Sequence, residues 1–88
     1  MNDVINEVTV VIPCYNGEAV DSALGQAQVS AKVLIVDDGS TDRSTITEIS
    51  RQARRDRVAA ISASNLGPGA ARNLGLRHVD GAYAIVLD

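Results

Sequence analysis

The sequence predicts an α/β fold: a parallel four-stranded, Rossmann-like sheet with alternating helices. Three observations predict it. Four short runs of β-branched and aliphatic residues recur along the chain. Stretches with apolar residues at helical spacing separate them. Each separating stretch is long enough for the crossover that joins parallel strands, about a dozen residues.

The elements follow in order. Val8-Thr9-Val10-Val11-Ile12, closed by Pro13, reads as a buried strand. Residues Glu18 to Gln28 place Val20, Ala23, Leu24 and Ala27 at helical spacing, with Gly25 weakening the helix from within. Val33-Leu34-Ile35-Val36 is a second buried strand. Asp42 or Thr41 caps the next helix, and Ile46, Ile49 and Ala53 line one face of it. Val58 to Ile61 form a third strand. Pro68 to His78 form a third helix, with proline at its start and Gly81 just past its end. Ala84-Ile85-Val86-Leu87 form a fourth strand.

The chain has 88 residues, room for one domain. A domain of this size buries about 60–65% of the surface its unfolded chain exposes. The apolar content of 45% is globular, but Phe and Trp are absent, so each core side chain contributes little area. Modest stability is the expectation. A formal net charge of -3 argues against a nucleic-acid partner, which calls for a basic face. Arg51, Arg54, Arg55 and Arg57 read as solvated residues near a helix C-terminus, where positive charge suits the dipole. The single cysteine, Cys14, allows no internal disulfide and points to a reducing compartment. It reads as a small apolar residue at a strand end rather than a nucleophile, because the only histidine, His78, lies far off in sequence. Met1-Asn2-Asp3 lacks the basic and apolar segments of a signal peptide, and no apolar run approaches the ~20 residues of a membrane helix. The expected location is cytoplasmic, with peripheral membrane association open to a full-length protein. The stop at Asp88, just after a buried-type strand, leads us to expect a fragment of a longer domain. Surface exposed by that truncation predicts self-association.

In an open parallel sheet, ligands bind at the carboxyl ends of the strands. Four segments meet that description: Pro13-Cys14-Tyr15-Asn16-Gly17, Asp37 through Asp42, Asn65 through Asn73, and Asp88. An ionised carboxylate only accepts hydrogen bonds, so Asp38 suits the ring N–H of uracil, thymine or guanine and not adenine. Tyr15 can stack on a base or ribose, or can simply pack. Gly39 permits a tight turn with positive φ. Gly67 and Gly69 let backbone approach a ligand at a helix N-terminus, which favours anions. Arg72 offers a bidentate fork to a diphosphate, and equally a partner for Asp37 or Asp38. Asp37 either faces the ligand or satisfies loop amides. Asp42 reads as a cap rather than a ligand.

The combination is more specific than its parts. Ile12-Pro13-Cys14-Tyr15-Asn16 resembles the first-strand motif of the family 2 glycosyltransferases. Val36-Asp37-Asp38-Gly39-Ser40-Thr41-Asp42 is similar to that family's second-strand signature. Asn65-Leu66-Gly67 through Ala71-Arg72-Asn73-Leu74-Gly75-Leu76 resembles its third-helix motif. Gly81-Ala82-Tyr83, then Val86-Leu87-Asp88, resembles the approach to its D-x-D metal motif. The likeness runs from Val8 to Asp88.

That resemblance implies the N-terminal half of a GT-A fold, with residues 1–88 as the truncated donor half. It implies transfer of a sugar from a nucleotide diphosphate to an acceptor, usually with inversion, by the full-length protein. It implies that Pro13, Tyr15 and Asn16 line the nucleotide pocket, that Asp38 faces the base, and that Asp37 supports the loop. Gly67 and Arg72 would lie near base and diphosphate. Asp88 matches the first aspartate of the metal motif, where Mg²⁺ or Mn²⁺ bridges carboxylate and diphosphate. The second aspartate would be residue 90, beyond this chain, and no residue here suits the family's general base. The stretch from Asn16 to Asp37 is shorter than the family's usual by about one helical turn. The chain alone is expected to bind nucleotide weakly and to catalyse nothing.

Three rivals compete with this reading. A sugar-nucleotidyltransferase would carry a basic, Gly-rich loop after its first strand, where Cys14-Tyr15-Asn16-Gly17-Glu18 has no Lys or Arg. A signalling receiver would place Leu34-Ile35-Val36-Asp37-Asp38 near its N-terminus, but a whole strand-helix unit precedes it here. The third rival is a non-catalytic interaction fragment.

Overall fold

The computed structural model describes residues 8–16, 32–79 and 83–87. They form strands β1 (Val8–Cys14), β2 (Lys32–Asp37), β3 (Val58–Ser62) and β4 (Tyr83–Val86), with helices α1 (Arg43–Gln52) and α2 (Pro68–Arg77). The strands make one sheet in the order β3-β2-β1-β4, and every pairing is parallel. The expected α/β architecture is present. The helix expected over Glu18 to Gln28, the glycine at 81 and the aspartate at 88 lie outside the described residues. No helix among the described residues is long and apolar enough to cross a membrane.

β1 and β2 occupy the centre and are apolar on both faces. Side chains alternate across a strand, so each strand feeds two cores. Val10, Ile12, Cys14, Val33 and Ile35 gather with Ile49 of α1 on one face. Val11, Leu34 and Val36 gather with Ala71 and Leu74 of α2 on the other. Val11, Ile12, Ile35 and Val36 are fully buried, and each such side chain contributes about 1.5–3 kcal/mol by leaving water.

β1 does not close at Pro13, as the sequence suggested, but runs through it to Cys14. The ladder tolerates a proline here for a geometric reason. Val11 accepts from the Leu87 N–H on the β4 side, and Pro13, two residues on, faces the same way. β4 has ended by that level, at the Val11–Val86 pair. The missing N–H of Pro13 therefore forfeits only a terminal ladder bond, the one to the Leu87 carbonyl.

α1 starts as expected at Asp42, whose Oδ2 accepts from the Thr45 N–H (3.2 Å), the Thr45 hydroxyl (2.7 Å) and the Ser44 hydroxyl (2.8 Å). Its buried face is the expected one only in part: Ile49 is buried and Ala53 half-buried, but Ile46 is not. Thr45, Ile49 and Gln52 turn inward, whereas Ile46 is 42% exposed. At about 100° per residue, Ile46 sits a quarter-turn off the Thr45–Ile49–Gln52 line. The cap bonds draw Thr45 in, and Gln52 is buried without loss because it bonds Glu48 (2.6 Å) and Arg55 (3.1 Å). The arginines after this helix are exposed, and Arg51 pairs with Glu48 at 2.7 Å.

α2 begins at Gly67, followed by Pro68 at the first helical position. Ala71 and Gly75, one turn apart, are its buried residues. A Cβ on Gly75 would lie 2.6 Å from Val11 Cγ1 and 2.9 Å from Val36 Cγ2. Small residues are what allow α2 to lie this close to β1 and β2. His78 closes the helix, with its Nδ1 2.9 Å from the Leu74 carbonyl.

Candidate functional site

The carboxyl ends of β1 and β2 meet the loop that enters α2, and three sets of bonds fix their relation. The Asp38 N–H donates to the Cys14 carbonyl (2.9 Å), extending the β1–β2 ladder. The Ala63 N–H donates to the Asp37 carbonyl (2.8 Å), extending the β2–β3 ladder. The Asp38 carboxylate then reaches 28 and 29 residues along the chain. Its Oδ1 accepts from the Leu66 N–H (2.6 Å) and its Oδ2 from the Gly67 N–H (2.9 Å).

Between these segments lies a cleft of about 280 Å³ lined by Pro13, Cys14, Tyr15, Asp38, Asn65, Gly67, Pro68 and Ala71. Four of the residues nominated from sequence, Pro13, Tyr15, Asp38 and Gly67, converge on it. Tyr15 is 48% exposed, with ring surface available to a planar partner. Asp38 is only 4% exposed, yet each of its oxygens keeps a second lone pair after its bond to the loop. Gly67 has φ 100° and ψ 160°, a conformation almost confined to glycine, and a Cβ there would meet nothing within 4 Å. Beyond it, the first-turn amides of α2 have no carbonyl within the helix to bond.

Asp37, Arg72 and Asn16, also nominated, are not among the residues that line it. Asp37 Oδ1 accepts from the Ser40 N–H (3.0 Å), so it satisfies a loop amide. Arg72 is exposed and, among the described residues, bonds neither Asp37 nor Asp38. Asn16, at φ 44°, ties its loop to the one after β2. Its Oδ1 accepts from the Thr41 N–H (2.8 Å) and the Asp42 N–H (2.7 Å). Its Nδ2 donates to the Thr41 hydroxyl (3.2 Å), and its own N–H donates to the Ser40 hydroxyl (2.9 Å). Asp88 lies outside the described residues. Among the described residues, no cluster of three or more His, Cys, Asp or Glu side chains could hold a metal.

Cys14 lines the cleft but is not activated. Burial, reinforced by the charge of Asp37, pushes its thiol up to about 11. It is therefore a neutral thiol at physiological pH, as the strand-end reading expects. Asp42 has its carboxyl held below the ordinary aspartate range, first by the Thr45 hydroxyl and then by Ser44 and the Thr45 amide. That is the signature of a cap.

Sequence reasoning placed Asn65 in a ligand-edge segment but gave it no role of its own; it lines the cleft at φ 57°. Asparagine tolerates that left-handed region better than most residues, so Asn65-Leu66-Gly67 carried a legible turn signal. Sequence reasoning did not nominate the Ser40 and Thr41 hydroxyls that hold Asn16. Gly39, at φ 82°, explains why this loop packs so closely: a Cβ would come within 3.0 Å of the Asn65 nitrogen.

Comparison with known proteins agrees with the arrangement. The family described as Glycosyl transferase family 2 matches residues 9–88. An uncharacterized glycosyltransferase of Rickettsia felis is 41% identical over 93% of this chain and 14% of its own length. The succinoglycan biosynthesis protein ExoO of Rhizobium meliloti is 36% identical over 98% of this chain and 26% of its own. Glycosyltransferase GlyA of Streptococcus pneumoniae is 35% identical over 94% of this chain and 13% of its own. The chain thus spans only about a quarter or less of these three relatives. A family match over residues 9–88, with relatives 35–41% identical over nearly the whole chain, places this chain in glycosyl transferase family 2.

Proposed function

We propose that this chain forms the donor-nucleotide side of a glycosyltransferase that moves a sugar from a nucleoside diphosphate, of uridine type, to an acceptor hydroxyl with inversion. The observation that carries the reading is the convergence of Pro13, Tyr15, Asp38 and Gly67 on one cleft at the carboxyl edge of a parallel sheet. In it, Tyr15 stacks on the base or ribose, and Asp38 accepts the uracil ring N–H on a lone pair the loop leaves free. Asp37 braces the loop. Arg72 meets the diphosphate, helped by the free amides at the start of α2.

Mg²⁺ or Mn²⁺, when bound, neutralises charge on the leaving diphosphate. Asp88 is the residue of this chain we assign toward it. β4 runs parallel to β1, and the Leu87 N–H bonds the Val11 carbonyl, so the strand leads to the same edge as Cys14 and Asp37. Asp88, next in sequence, supplies the carboxylate type that such a hard cation binds. A cytoplasmic location belongs to the same reading, and the single cysteine, which allows no internal disulfide, is consistent with it. Family membership favours sugar transfer over the nucleotidyltransferase and receiver readings.

By itself the chain binds nucleotide weakly and transfers nothing. Titration with UDP in Mg²⁺, followed by amide NMR, tests the proposal. Shifts should cluster at Tyr15, Asp38 and Gly67. A folded sample whose amides do not respond would sink it.

A further inference from the structure

We infer that Asn16 is a positioning residue for the nucleotide pocket and not one of its ligands. The inference rests on the donor-pocket reading of the cleft. Both acceptor sites of the Asn16 Oδ1 and one of the two Nδ2 hydrogens are already committed to the loop after β2. Its Oδ1 holds the Thr41 and Asp42 amides, and its Nδ2 holds the Thr41 hydroxyl. Its backbone N–H holds the Ser40 hydroxyl. Asn16 does not line the cleft, whereas its neighbour Tyr15 does.

The consequence falls on Tyr15. The residue before it is pinned, because the Cys14 carbonyl accepts from the Asp38 N–H. The residue after it is pinned through Asn16. Tyr15 itself carries no such bond among the described residues, so its place at the cleft is set by its two neighbours. Bracketing an exposed ring this way removes part of the ordering cost that a ligand would otherwise meet. The residue type also fits. At φ 44° asparagine is tolerated, and its short amide can reach the amides of the neighbouring loop. The same oxygen satisfies the amide of Asp42 just before α1, so one side chain couples the Tyr15 loop to the helix cap.

Two substitutions separate positioning from contact. Asn16→Asp keeps the acceptor oxygen for Thr41 and Asp42, and would repel a diphosphate if the side chain touched one. Asn16→Gly keeps the backbone conformation and removes the clamp. We expect Asn16→Asp to retain UDP affinity within about threefold in Mg²⁺ and to keep the Thr41 and Asp42 amides protected from exchange. We expect Asn16→Gly to bind UDP about tenfold more weakly, with both amides exchanging faster. If Asn16→Gly does not fold, Ser40→Ala, which removes only the hydroxyl facing the Asn16 N–H, should weaken UDP about threefold. Loss of UDP binding in Asn16→Asp with both amides still protected would overturn the inference, since it marks direct contact. So would unprotected amides in Asn16→Asp, or full affinity in both Asn16→Gly and Ser40→Ala. If the unaltered chain ignores UDP, the donor-pocket reading fails, and the clamp is then judged on amide exchange alone.

Discussion

At the scale of single residues, side chains at the strand ends act mainly as acceptors for the amides of the next loop. Asp38 is the clearest case, with both oxygens taken by Leu66 and Gly67 while it lines the cleft. Asp38→Asn would set an NH₂ group against one of those N–H donors. We expect it to cost about 1–3 kcal/mol in urea unfolding, with an unchanged slope. A neutral result would mean that the carboxylate does not hold the loop. Cys14 gives a second prediction. Its raised thiol pKa makes it slow to alkylate at pH 8 in the folded chain and fast in urea. The linkage sign follows from the same shift. A thiol that ionises at about 11 when folded, against an ordinary value of 9.0 when unfolded, stabilises the fold below the lower value. That contribution is lost as pH rises through the window between them. Stability measured across it should fall. Which residues would gather at the cleft was legible in Pro13, Tyr15, Asp38 and Gly67. That Asp38 and Asn16 would spend their acceptors on backbone was not, because those partners lie 25 or more residues away and depend on loop register.

At the scale of elements, the strands were legible because a sheet buried on both faces requires unbroken aliphatic runs, and Val33 to Val36 is one. The inward face of α1 was legible only at Ile49 and, half-buried, Ala53. Apolar spacing pointed to Ile46, but the cap chemistry of Asp42 with Thr45 and the paired amide of Gln52 turned polar residues inward instead. Hydrophobic periodicity cannot anticipate a buried polar residue whose bonds are satisfied. For α2 the decisive residue is Gly75. Gly75→Ala places a methyl within 3 Å of two valine side chains that are themselves fully buried. We expect destabilisation of about 1–3 kcal/mol by overpacking, although alanine is the better helix former. A stabilised Gly75→Ala protein would show that α2 can lift from the sheet freely.

At the scale of the whole molecule, the described sheet is strong at its centre and open at its edges. Tyr83 and Ile85 on β4 are 57% and 51% exposed, and β4 has no strand beyond it among the described residues. An apolar edge strand invites pairing with another chain. Light scattering should therefore give a mass that rises with concentration, and a constant monomer mass would contradict this. The cleft stands away from that edge strand's exposed face, at the carboxyl ends of the central strands, so association and nucleotide binding are separable. The most direct test of the central claim is intermolecular NOE contact between uracil protons of UDP and the protein. Contacts are expected to the Tyr15 ring, Pro13 and Ala71. Contacts instead to Thr9, Leu34 and Val79, which line a second hollow of about 300 Å³ near the start of the strands, would contradict it.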